Sequence, residues 1–449
     1  MQGVAVKRMI GLEVVREDAA RLPALLASLP ALRAVEGLRL HPAPGAAPEA
    51  AQACLAGAAH VLARCASLQH LDVEISLDDR QAGRLHAALG RLLAAVQRPL
   101  EGLSLRVDAG QARIQMVPAT ARLTRLVAGL AGLAQLRALG LRFEFGWREA
   151  TLPACLSCLA QLTSLSLWGV NGLRCAPGWA RLPLLASLDF YECSFAADGE
   201  HALPGMHALA SLTSLVIDNC PSLRTLPASL WALPQLRSLS HSIDGSTMDN
   251  LARDELPVAS LPAYAPSFAS LTDLRLQGHN LSSFPVAVLT MRRLTHLNLA
   301  QCYFSQLPEG VSVLTALTAL SLGRHNAGPI DYAIGGAIDA RALGSLAEFP
   351  NLRDLSFRNC SVLFCPTFQA AAAHPRLSSL TLFTSYPASG PSCLAFLGFV
   401  GSLLQQGRPG VLELVVGVVN GEGRQDSINF RAALKAVGFP LIDIEECFL

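Results

Sequence analysis

Residues 294–310 read LTHLNLAQCYFSQLPEG. Leu294, Leu297 and Leu299 form L-x-x-L-x-L, Cys302 follows three places after the last of them, and Leu307-Pro308 closes the stretch. A thiol at so regular a distance is a ligand, a nucleophile or a piece of architecture, and self-comparison at fixed offsets separates the three. The hexad recurs at Leu136, Leu162, Leu185, Leu212, Leu271, Leu317, Leu352 and Leu377. Weaker copies begin at Met9, Val35, Leu68, Leu100, Leu236 and Val411, which makes 15 candidate repeats in all.

Composition sets the limits around this pattern. Aliphatic residues and alanine dominate the 449-residue chain, and 15% of it is D, E, K or R, a folded composition. With 35 basic against 34 acidic residues and no block of like charge, the chain lacks the electrostatic footprint of a nucleic-acid binder. The start has no sustained apolar run, so no secretory signal is expected. CLAFLGFVGSLL at 393–404 is too short to span a bilayer, so no membrane insertion is expected. Twelve cysteines without clustered spacing fit a reducing compartment, and a cytoplasmic location is the expectation, with cytoskeletal or ciliary association left open.

The repeats resemble those of intracellular leucine-rich repeat proteins. That resemblance implies an α/β solenoid: a horseshoe with parallel β-strands on the concave face and helices or 3₁₀ turns on the convex face. Each unit turns two aliphatic side chains inward and cannot bury them alone, so stacking supplies the missing wall. The resemblance also assigns the place three residues after the hexad, where a side chain points into the turn and bonds neighbouring backbone, forming a ladder. Cys193, Cys220, Cys302 and Cys360 stand there, and Val170, His279, His325 and Ser385 interrupt them. Cys155-x-x-Cys158 aligns with Ser229 and Ala232 of another repeat; with no second pair to complete a tetrahedral site, it reads as a repeat variant and not as a metal site.

Unit length divides the chain, which is expected to be one continuous domain over 1–449. Over 1–150 the units from Val35 onward are 32 to 36 residues long, with helical periodicity in their returns (Cys54 to Cys65, Leu85 to Val96), similar to ribonuclease-inhibitor-like and F-box-associated repeats. Over 151–430 hexads are mostly 23 to 27 residues apart and carry Leu152-Pro153, Leu226-Pro227, Leu307-Pro308 and the variant Phe284-Pro285, resembling the LPxxLxxLxxL class. Proline suits the start of a short turn. Insertions at 240–270, 323–349 and 384–410 read as loops, and 431–449 as a C-terminal cap. No cap is visible at the N-terminus, so a partner chain or an upstream domain is expected to cover that end.

No catalytic motif is present: no G-x-S-x-G, H-E-x-x-H, G-x-x-x-x-G-K-[ST], or strand-linked G-x-G-x-x-G. No enzymatic activity and no cofactor are expected. Function then falls to the strand face. The place just after each hexad reads Arg106, Arg142, Trp168, Tyr191, Asp218 in successive repeats, joined by Asp189 and Phe143 from adjacent columns. Arg and aromatic side chains tend to anchor interfaces. Arg106, Arg142, Trp168, Asp189, Tyr191 and Asp218 are therefore the expected protein-binding patch, and Ser240, Ser242, Ala300, Ser321 and Gly323 make the later face bland. The expected function is a protein-binding scaffold or adaptor; the alternatives are the recognition arm of a ubiquitin ligase and an enzyme inhibitor.

Overall fold

The computed structural model describes residues 9–14, 37–42, 68–76, 100–108, 130, 133, 135–144, 150–324, 349–358, 376–384 and 413–418, with short breaks at 177, 245–246, 248–250, 252–254, 259–260 and 305–306. It falls into two compact units, Met1–Gln235 and Leu236–Leu449. Helical returns expected at 54–65 and 85–96, the cap at 431–449, Cys360, and most of the insertions at 323–349 and 384–410 lie outside the described residues.

The first unit carries β1 (Met9–Val14), β2 (Gly37–Pro42), β3 (His70–Ser76), β4 (Gly102–Asp108), β5 (Ala138–Glu144), β6 (Thr151–Leu152), β7 (Ser164–Trp168), β8 (Arg174–Cys175), β9 (Ser187–Tyr191) and β10 (Ser214–Asp218). All but β6 and β8 form one parallel sheet in chain order, and those two pair with each other on the return side. The second unit carries β11 (Ser238–Ser242), β12 (Asp273–Arg275), β13 (His296–Cys302), β14 (Ala319–Arg324), β15 (Asp354–Arg358), β16 (Ser379–Thr384) and β17 (Glu413–Val418), again parallel and in chain order. Every candidate repeat contributes one strand to this parallel, chain-ordered arrangement. The first needs a correction: Met9 pairs with Gly37, so Ile10 lies beside Leu38 and Leu12 beside Leu40, and the hexad reading that started at Met9 is two residues out of register.

The hexad explains the sheet. Strand side chains alternate between faces, so the second and third leucines of a hexad share one side. Leu165 and Leu167, Leu188 and Phe190, and Leu215 and Ile217 are all fully buried, as are the leading residues Leu162, Leu185 and Leu212. Full burial of one such side chain contributes roughly 1.5–3 kcal/mol. Just before β7, β10, β12, β13 and β14 a second device recurs. The hydroxyls of Thr163 and Thr213 donate to the carbonyls of Arg137 and Ala186 in the preceding repeat at 2.9 and 3.0 Å. Thr272, Thr295 and Thr318 do the same with Arg237, Thr272 and Thr295.

Among the described residues most return segments are short 3₁₀ turns. Pro153, Pro227 and Pro285 precede Ala154–Cys158, Ala228–Ala232 and Val286–Thr290, and their carbonyls accept from the N–H groups of Leu156, Leu230 and Val288 at 3.1, 3.1 and 2.9 Å. Those three acceptors' partners are the buried side chains of the turns. Part of the 240–270 insertion is anchored as well, since Leu256 packs with Ile243 and Tyr303.

Between strand and return the chain turns through a left-handed residue: Gly169, Glu192, Asn219, Gly278 and Gln301 have φ of 70°, 52°, 51°, 78° and 58°. Each stands one place before the ladder position. The buried Cys193 thiol donates to the carbonyls of Tyr191 (3.4 Å) and Leu167 (3.6 Å), and Cys220 to those of Asp218 (3.3 Å) and Phe190 (3.7 Å). The Cys193 N–H in turn donates to the Cys220 sulfur at 3.3 Å. Cys302 donates to the Leu276 carbonyl at 3.3 Å, and burial pushes its thiol up to about 12, so it stays a protonated donor. His279 fills the ladder place after β12. Its Nε2–H donates to the His241 carbonyl at 2.7 Å, and its ring meets that of His241 edge to face at 4.7 Å.

Two predictions follow from these turns. A Cβ on Gly169 would collide with the Phe143 carbonyl oxygen, whereas one on Gly205, also at positive φ, meets nothing within 4 Å. Gly169→Ala should therefore lower the urea midpoint far more than Gly205→Ala, whose cost is about 1 kcal/mol from backbone strain alone; equal midpoints would contradict the packing. Burial pushes His279 down from 6.5 to about 4. The unfolded chain then binds the proton first, so stability falls as pH drops from 6.5 towards 4, by about 3 kcal/mol in total. Denaturant titrations at stepped pH should show that loss, and His279→Asn should flatten it.

Candidate protein-binding surface

Parallel pairing in register turns one sequence position into a row of neighbours. Arg106 pairs with Arg142, Arg142 with Trp168, Trp168 with Tyr191, and Tyr191 with Asp218, across β4, β5, β7, β9 and β10 of the first unit. Neighbouring strands lie about 4.8 Å apart, close to the stacking distance of flat side chains. The result is a continuous stack. Arg142 Cζ lies 4.8 Å from the centre of the Trp168 ring, and the Trp168 and Tyr191 ring centroids are 4.4 Å apart with their planes 33° off parallel.

At the far end of the row, the Ser187 hydroxyl donates to both carboxylate oxygens of half-buried Asp189, at 3.3 and 3.4 Å. Burial raises the Asp189 carboxyl above its ordinary value. The Tyr191 phenol is raised too, by burial first and then by the charges of Asp189 and Asp218, which stand beside it. The row thus passes from two guanidinium groups through two rings to the Asp218 carboxylate, with the Asp189 carboxylate beside it. Glu74 stands next to Arg106 in register on β3.

Five of the six expected patch residues fall on this row, and Asp189 adjoins it. Phe143 does not join them. It follows Leu141 by two places, shares the inward side with Leu139 and Leu141, and is 2% exposed, so it belongs to the core.

Sequence reading missed what lies beside the stack. His70, Asp72, Gly102, Ser104, Ala138, Gly140, Ser164 and Ser166 line a basin of about 280 Å³ on β3, β4, β5 and β7. Its floor is low because small residues stand at successive places in the two columns next to the row, a pattern visible in the sequence once columns and not repeats are compared. In the second unit Ala300 is 1% exposed and offers no side chain to solvent. The face there is less bland than expected, however. Gln277 donates to Gln301 at 2.7 Å and accepts from Asn298 at 3.2 Å, while Arg275 forms a two-pronged ion pair with Asp273, 3.1 Å on each arm.

Among the described residues no group of three or more His, Cys, Asp or Glu side chains is arranged to hold a metal ion. None of the described helices is long and apolar enough to cross a membrane.

A parallel sheet fed by hexads, with 3₁₀ returns and an inward ladder position, is the fold of a leucine-rich repeat solenoid. No protein-family model and no curated protein matches the chain. Among solved structures it is similar to a leucine-rich repeat protein of Leptospira interrogans, at 16% identity and a TM-score of 0.49, over 97% of this chain and 100% of that one. An internalin of Listeria monocytogenes is similar at 14% identity and a TM-score of 0.41, over 81% of this chain and 93% of that one. A leucine-rich repeat protein of Bacteroides thetaiotaomicron follows at 13% identity and a TM-score of 0.39, over 72% of this chain and 36% of that one.

The stack itself is testable without a partner. A double-mutant cycle with Arg142→Ala and Trp168→Ala, read by urea unfolding, should give a coupling of about 0.5–1 kcal/mol. Additive effects would mean that the guanidinium does not rest on the ring in solution.

Proposed function

We propose that the chain is a non-enzymatic protein-binding scaffold or adaptor whose contact surface is the open sheet face from β4 to β10. The observation that carries this reading is the stack of Arg142, Trp168 and Tyr191. Its members hold one another in place, so a partner meets flat side chains whose rotamer freedom is already spent, which lowers the entropy cost of association. Arg, Trp and Tyr are also the side chains enriched among residues that dominate binding energy. Charge adds selectivity. A partner fits best with carboxylates over Arg106 and Arg142 and a cation over Asp189 and Asp218, because opposed charges steer encounter and like charges repel. The absence of catalytic motifs in the sequence supports a binding role over an enzymatic one, and near-neutral charge supports a protein partner over nucleic acid. A cytoplasmic setting belongs to the same proposal and rests on the dispersed cysteines.

Affinity capture with mass spectrometry tests it, comparing the intact chain with an Arg142→Ala, Trp168→Ala, Tyr191→Ala variant whose circular dichroism matches that of the parent. A specific partner held by the parent and released by the variant is the expected result, and its identity then distinguishes an adaptor from a ligase recognition arm or an enzyme inhibitor. Identical captures would move the binding surface elsewhere.

A further inference from the structure

We propose that Cys155 and Cys158, on the return side of the first unit, form a reversible dithiol–disulfide site that exchanges with small-molecule disulfides. The pair sits in the 3₁₀ turn Ala154–Cys158, with Cys155 partly exposed and Cys158 exposed, both as free thiols. In a 3₁₀ helix side chains three apart eclipse, and three rises of about 2 Å set their Cα atoms about 6 Å apart. Disulfides accept Cα separations of roughly 4.4–6.8 Å, so the bond closes without moving the backbone far.

The fold supplies its own control for these two positions. Ala228–Ala232 is the same turn, with the same proline before it, the same length, and a buried leucine in the middle, yet it carries Ser229 and Ala232 where the thiols stand. Architecture therefore demands neither cysteine. Leu156, between them, does the packing and is fully buried. The other described cysteines, Cys175, Cys193, Cys220 and Cys302, are buried, which leaves Cys155 and Cys158 as the accessible thiols among the described residues.

Their surroundings assign an order. Burial, followed by the neighbouring Cys158, raises the Cys155 thiol and keeps it protonated at rest. Cys158, being exposed, attacks first. With oxidised glutathione, the Cys158 thiolate displaces one glutathione and forms a mixed disulfide. Cys155 then loses its proton and attacks the Cys158 sulfur, and the second glutathione leaves. Two protein thiols are oxidised, one glutathione disulfide is reduced to two thiols, and the two protons end on glutathione. Reduced glutathione in excess reverses both steps.

The test uses the intact chain equilibrated over a series of oxidised to reduced glutathione ratios, quenched in acid, alkylated after denaturation, and mapped by mass spectrometry. Cys155 and Cys158 should lose their alkyl labels together, in a peptide lighter by two hydrogens, at ratios where Cys193, Cys220 and Cys302 keep theirs. Cys155→Ser should trap glutathione on Cys158, and Cys158→Ser should leave Cys155 without an adduct; the equivalent turn carries serine at the place of Cys155 and alanine at that of Cys158, so neither thiol is needed to form it. Glutathione accumulating on Cys158 of the parent chain without ring closure overturns the proposal. So does full alkylation of both cysteines in oxidised glutathione alone.

Discussion

Leu165 and Leu167 on β7 reach full burial only because Leu188 and Phe190 lie at the same two places on β9, with Leu139 and Leu141 on the other side at β5. A single repeat has no second layer against which to fold, so each strand's apolar pair depends on its neighbour's. This dependence fixes register. A slip of one residue would turn every leucine to solvent, and a slip of two would break the threonine bonds made before β7, β10, β12, β13 and β14. Register then determines the surface, because the places between and after the leucines fall into columns on the open face. The Arg142–Trp168–Tyr191 stack is a by-product of that constraint: three repeats hold flat side chains at one position, and the sheet sets them one strand spacing apart.

The same logic accounts for the ladder. A left-handed residue before the ladder place redirects the chain, and the side chain that follows points inward to orphan carbonyls. Cysteine suits this place because a buried thiol is small, remains protonated and donates. Histidine at 279 meets the same need with a stronger donor and a cost. Its ring is uncharged only while the core excludes protons, so the second unit carries an acid sensitivity that a cysteine would not bring.

Much of this was legible in the sequence because the period is short and the leucines are nearly invariant within the chain. All 15 hexads became strands, and the row from Arg106 to Asp218 followed from counting one place past the last aliphatic residue of the hexad. Where the reading slipped, the reasons are local. Met9, Leu12 and Val14 satisfy the hexad as well as Ile10 and Leu12 satisfy the true register, because Ile10, Leu12 and Val14 put three apolar residues in alternation where a hexad uses two. Phe143 was placed outside by residue type although its parity puts it inside. Thr163, Thr213, Thr272, Thr295 and Thr318 form a recurring signal of their own, yet they pass unread when only apolar residues are aligned. The basin over Gly102, Ser104 and Gly140 is defined by missing side chains, and it emerges only when columns are compared across strands. Gln301, which accepts from Gln277, lies in the bulge after Leu299, which no periodicity announces.

Hydrogen exchange of the intact chain, resolved by peptide, tests the central claim that in-register stacking of hexads builds the sheet. The account predicts slow exchange recurring with the repeat, centred on 164–168, 187–191 and 214–218, with faster exchange in the returns between them. Protection without that spacing, or strands exchanging as fast as their returns, would contradict it.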